Sequence, residues 1–113
     1  MRISQAAVLS SELVAEVKKI GARLARLRIA RHISQTEAAL RAGFSRNTAY
    51  RLEKGDPGLA LGQLLRYLDA IAPGKSLYSF LAEEDPAITA LEERERKKRV
   101  RALSKRELDD LNF

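Results

Sequence analysis

Residues 34–55 read SQTEAALRAGFSRNTAYRLEKG. Two short helices and a tight turn are encoded in them. Ser34 and Glu37 have the spacing of a capping box, in which a hydroxyl and a carboxylate three residues apart each satisfy an orphan backbone N–H of a first helical turn. The helix opened at Ser34 ends before Gly43, because glycine takes the left-handed C-terminal position without a steric penalty. Ser45 is the next N-cap, and the helix behind it runs to about Lys54 and stops at Gly55. Along that helix Ala49 and Leu52 form an inner side, while Arg46, Asn47, Tyr50, Arg51 and Lys54 share the outer side. Two short helices joined by Ala42-Gly43-Phe44-Ser45 make a helix-turn-helix. The turn throws the second helix out at a steep angle, where its outer side can enter a DNA major groove about 12 Å wide. Arginine pairs there with the acceptor edge of guanine and asparagine with adenine. Thr48 reaches a phosphate or a thymine methyl, and Tyr50 suits phosphate contact and packing equally.

The flanking sequence is helical as well. Leu13, Val17, Ile20, Leu24 and Leu27 are spaced four, three, four and three, which puts them on one stripe of a helix from about Ser11 to Arg31. Gly21 lies inside it and weakens it by about 1 kcal/mol relative to alanine, so a break there, leaving a short leading helix, is one expectation. His32 follows as a C-terminal cap. Downstream, Asp56-Pro57-Gly58 is a turn. Leu61, Leu64, Leu65, Leu68 and Ile71 mark a fourth helix ended by Pro73-Gly74. A fifth, from Ser76 to about Ala82, offers Leu77, Phe80 and Leu81 to the core. These boundaries give an N-terminal arm (1–11), a compact domain (12–84) and a charged C-terminal extension (85–113). In the extension Asp85 can cap and Pro86 suits a first helical position. Ile88 and Leu91 are its last apolar residues before Glu92–Arg101, a run with six basic and three acidic side chains. Ser104 to Glu107 has the form of another capping box, followed by Leu108, Leu111 and Phe113. The extension has no core of its own. It is a solvated helix, a partly disordered arm or a docking peptide whose apolar tip seeks its own domain, a twin subunit or another protein.

Composition narrows the function. The 113 residues fit one domain with an appended arm. The absence of cysteine removes disulfides and thiolate chemistry, and a single histidine removes a multi-histidine metal site. No nucleophile–base pair, phosphate-cradling glycine loop or metal cluster is visible, so neither catalysis nor a cofactor is expected. Nor does any apolar run approach the ~20 residues needed to cross a bilayer, and the N-terminus is too polar beyond Leu9 for a signal peptide. A cytoplasmic protein without membrane partners is the expectation. Net charge is +6. Between Arg23 and Lys54 lie eight basic residues and two acidic ones, so this segment alone carries the whole net charge. A polyanion partner is implied, and the aromatic platforms that stack RNA bases are absent.

The stretch from Ile20 to Pro73 resembles the Xre, or lambda-repressor-like, helix-turn-helix family. Arg28, Ser34-Gln35 with Glu37, Ala39, Gly43, Ser45-Arg46, and Leu52-Glu53 with Gly55 stand in that family's register. The resemblance implies an all-α fold, a compact five-helix DNA-binding bundle, here with a helical or partly disordered C-terminal extension. It implies a transcriptional repressor that reads a palindromic operator in double-stranded DNA as a homodimer. By position, Gln35 matches a glutamine that contacts a phosphate and braces the recognition helix. Ser45, Arg46 and Asn47 match the turn that reads bases, and Arg51 a further base or phosphate contact. With Thr36, Thr48, Tyr50 and Lys54 these make up the implied DNA site. Arg28 and Glu53 match a buried ion pair tying the first helix to the third. The chain departs from the pattern at Ala38 and Ala49, where the family is larger, and at Phe44, whose ring is expected to fill the missing volume. Its turn at Gly55-Asp56-Pro57-Gly58 is short and lacks lysine. An alternative implied by similar proteins is the antitoxin of a toxin–antitoxin pair, which represses its own operon and binds a cognate toxin through an extension like 86–113.

Overall fold

The computed structural model describes residues 3–82 and 86–111, with side chains as far as residue 102. Helices follow one another as α1 (Gln5–Val8), α2 (Ser11–Ala30), α3 (Gln35–Ala42), α4 (Arg46–Lys54), α5 (Leu61–Ile71), α6 (Leu77–Leu81) and α7 (Pro86–Leu111). No strand occurs among the described residues. The five expected helices are α2 to α6, and α1 and α7 flank them. None of the described helices is long and apolar enough to cross a membrane.

Serines open the helices. The hydroxyls of Ser10, Ser34, Ser45 and Ser76 each accept from the backbone N–H three residues on, at 3.1–3.2 Å. The box expected at Ser34 is half made, because the Glu37 carboxylate turns to Arg41 one turn along the same helix (3.0 Å). Left-handed residues close three of the helices: His32 (φ 58°) after α2, Gly43 (φ 80°) after α3 and Gly55 (φ 78°) after α4. At each, the following N–H folds back onto a carbonyl of the last turn: Ile33 to Arg28, Phe44 to Ala39 and Asp56 to Arg51.

Gly21 does not break α2, which runs unbroken for 20 residues. Its role is close approach. A Cβ at Gly21 would stand 2.6 Å from the Leu52 carbonyl oxygen and 2.7 Å from that of Glu53. A Cβ at Gly55 would stand 2.5 Å from the Lys18 Cα. The two glycines let α2 lie directly on the C-terminal half of α4. The short leading helix exists, but the hinge that separates it is Leu9-Ser10, both extended.

The core gathers Leu24 and Leu27 of α2, three alanines of α3, Ala49 and Leu52 of α4, Tyr67, Leu68 and Ile71 of α5, Phe80 of α6 and Ile88 of α7. Four expected core leucines are not in it: Leu13, Leu61, Leu65 and Leu81 are 47%, 63%, 44% and 46% exposed. Leu13 lies more than a turn before Lys18, where α2 meets the end of α4, so that part of the helix overhangs the bundle. In α5 the buried side is rotated toward Tyr67, which leaves Leu61 and Leu65 on its outer edge. In α6 Phe80 takes the inward position and Leu81 the rim.

The extension is helical from Pro86 to Leu111. Its first turns dock: Ile88 is buried, Leu91 is half-buried, and Glu95 pairs with Arg26 of α2. The helix runs through Ser104 without interruption, so the capping box read there starts no new helix. The expected cap Asp85, the side chains of Leu108 and Leu111, and Phe113 lie outside the described residues.

Candidate nucleic-acid interface

The turn between α3 and α4 is built from both sides. Gly43 reverses the chain, and the Arg66 guanidinium of α5 donates to the carbonyls of Ala42 (2.6 Å) and Gly43 (3.1 Å). These are the orphan acceptors at the end of a helix, and a cation there also complements the helix dipole. The same guanidinium lies 5.4 Å over the Phe44 ring. Phe44 in turn stacks on the buried Tyr67, ring centroids 5.8 Å apart and 26° between planes. Ala38 and Ala49 are fully buried, and Phe44 is half-buried against the core, where its ring meets Tyr67 and Arg66.

Beneath α4 one carboxylate holds four elements together. The Glu53 side chain is 6% exposed. It accepts from Arg28 Nε of α2 at 2.7 Å and from a terminal nitrogen of the same guanidinium at 3.0 Å. It also accepts from the Gln35 amide of α3 at 3.2 Å and from the Tyr67 hydroxyl of α5. Arg28 spends its remaining nitrogen on the Ile33 carbonyl at 2.9 Å. The expected ion pair is present and is bidentate, the strong form of the contact. The hydrogen bond to Glu53 raises the Arg28 pKa above its ordinary value. Burial first, then the bond to Glu53, pushes the Tyr67 phenol well above the usual tyrosine range. Both shifts keep the protons on Arg28 and Tyr67, so each is a donor toward the Glu53 oxygens.

With its underside fastened, α4 turns its other side outward. Arg46, Asn47, Tyr50, Arg51 and Lys54 are all exposed. Gln35, Arg46, Asn47 and Tyr50 line one shallow depression between the start of α3 and the outside of α4. Lys54 Nζ rests 5.4 Å over the Tyr50 ring. Arg51 Nε donates to Asp56 at 2.8 Å, and the other Asp56 oxygen accepts from the Gly58 N–H at 2.8 Å. These two bonds, the backbone one first, hold the Asp56 carboxyl below its usual range. Ser45 is committed to capping, with its hydroxyl 3.2 Å from that of the half-buried Thr48. Thr36 is exposed in the first turn of α3. Gln35 is half-buried, its amide given to Glu53.

The sequence reading missed Tyr67 and Arg66. They are neighbours on α5, and what defines each is a partner more than a dozen residues away. Neither leaves a local signal.

Residues 19–72, just under half of the chain, match a known protein family described as a helix-turn-helix domain. Geometry and match agree on the class: a helix-turn-helix domain, the arrangement that presents a helix to the major groove of DNA. Searches among curated proteins and among solved structures returned no match.

Proposed function

We propose that the protein is a sequence-specific DNA-binding transcriptional regulator of the Xre type, acting in the cytoplasm as a homodimeric repressor on a palindromic operator. The observation that carries this reading is the outward side of α4. It bears three cations, an asparagine and a tyrosine, all exposed, on a helix whose other side is buried and hydrogen-bonded. Arg46 and Asn47, in its first turn, read base edges. Gln35, at the edge of the same depression, meets the backbone beside them. Thr36, Ser45, Thr48, Tyr50, Arg51 and Lys54 complete the contact with phosphates and adjoining bases. One such helix reads few base pairs. Two-fold pairing doubles the site and sets half-sites about 34 Å apart, one turn of DNA.

The test is selection of bound duplexes from a random pool by the full chain. Inverted half-sites at that spacing are the expected result, and a pool that never enriches overturns the reading. The antitoxin alternative rests on α7, which has room for a partner beyond its docked start. It predicts a protein that co-purifies with the full chain and is lost on truncation after residue 92. Truncation at 84 is the wrong experiment, because it also removes Ile88 from the core.

A further inference from the structure

Beyond its docked first turns, helix α7 carries a stripe that packs on nothing among the described residues. Arg94, Lys97, Lys98 and Arg101 recur at i, i+3, i+4 and i+7, so they share a stripe within an arc of about 100°. All four are exposed. Of the three acidic side chains in the same run, Glu95 pairs with Arg26, Glu93 pairs with Arg96, and Glu92 falls on the opposite side of the helix. Among the described residues none of the four cations makes a hydrogen bond or ion pair. Ordinary surface helices intersperse both signs along a side, whereas this one presents a single sign over about 10 Å of rise.

Each strand of double-stranded DNA carries a phosphate about every 3.4 Å of helix axis, so the four cations of the stripe can lie over a run of successive phosphates. Its place on the body says which ones. Arg26, which holds α7, stands about 140° around α2 from Gly21, which faces α4. The arm thus leaves along the flank of α2 away from the recognition helix.

We propose that the stripe Arg94, Lys97, Lys98 and Arg101 is a second DNA contact, lying on the phosphate backbone outside the base pairs under α4. This rests on the reading of α4 as a recognition helix, yet it asks of the DNA only its phosphates.

The full chain and its R94Q/K97Q/K98Q/R101Q variant are titrated against the selected site over a range of salt. Glutamine keeps the helix propensity, and circular dichroism verifies the fold. The site is presented once trimmed and once within long flanks. On the flanked duplex the variant's slope of log K against log salt becomes shallower by about 3 to 4, near 0.9 per lost contact. On the trimmed duplex the two proteins bind alike. Equal slopes on the flanked duplex overturn the proposal. An Arg46→Ala chain separates the two readings: it loses base preference and keeps the flank-dependent slope. If neither that chain nor an Asn47→Ala one changed base preference while the fourfold variant lost slope, the reading of α4 would fail and the stripe would stand. If the wild-type chain binds no duplex, both fall.

Discussion

At the scale of single residues, Gly21 and Tyr67 carry more than local reading assigned them. Gly21 reads as a weak point in a helix because its cost to the free helix is visible in sequence, whereas the backbone that approaches it, at Leu52 and Glu53, is 31 and 32 residues away. Replacing it with alanine restores about 1 kcal/mol of helix propensity. It also drives a methyl into the Leu52 and Glu53 carbonyls, an overpacking cost of about 1–3 kcal/mol. Rigid backbone atoms put it at the upper end. The expected outcome is a net loss in urea denaturation, and a Gly21→Ala chain as stable as its parent contradicts this packing. Tyr67 predicts a pH dependence. Tyrosine in the unfolded chain ionises near pH 10, while Tyr67 holds its proton beyond that. Above about pH 10 the folded state therefore binds more protons than the unfolded one, so stability falls as pH rises. Below pH 10 this contribution is present in full. Tyr67→Phe removes one such group, and its stability should decline less than wild type between pH 9 and 11. Parallel declines would show that the phenol ionises freely in the fold.

At the scale of elements, most of the architecture was legible because most of it is local. Ser34, Ser45, Gly43 and Gly55 fix the ends of α3 and α4 through bonds spanning three to five residues, which a linear reading can find. The side that each helix buries was legible only in part. Periodicity in α5 identified Leu68 and Ile71, but nothing local said that the buried side turns toward Tyr67 and away from Leu61 and Leu65. The Arg28–Glu53 pair came from the family resemblance, while Gln35 and Tyr67 as its further partners needed coordinates. The outer side of α4 followed from spacing alone, and two predictions belong to it. Arg46→Ala should cost about 1–3 kcal/mol in DNA binding and relax base preference at one position, as read by binding to single-base variants of the selected site. A uniform loss on every sequence would assign Arg46 to a phosphate. Asp56 restrains Arg51 and places a negative charge at the end of the helix. Asp56→Asn keeps an acceptor for the Gly58 N–H and releases the guanidinium. Affinity for duplex should rise, and the salt slope should steepen by about 1. Unchanged binding would mean that Arg51 faces no phosphate.

At the scale of the whole molecule, the body and the extension share a core residue. Ile88 is 6% exposed and belongs to the same cluster as Leu24, Leu27 and Phe80. Ile88→Ala should therefore cost about 2–5 kcal/mol, measured by the same denaturation, whereas a detached tail would show no change. Composition showed where the extension begins and that it is charged, but not that its first turns close the bundle, because a lone isoleucine has no period to read. The single carboxylate at the meeting point of α2, α3, α4 and α5 has a practical consequence for engineering. The bonds that tie the projecting rod to α2, α3 and α5 are made from beneath, so the side chains at Arg46, Asn47 and Tyr50, the last touching only its neighbour Lys54, do not hold the rod to the body and can be varied together. A combinatorial library at those three positions would sample new target preferences on a scaffold whose foldability has already been secured elsewhere.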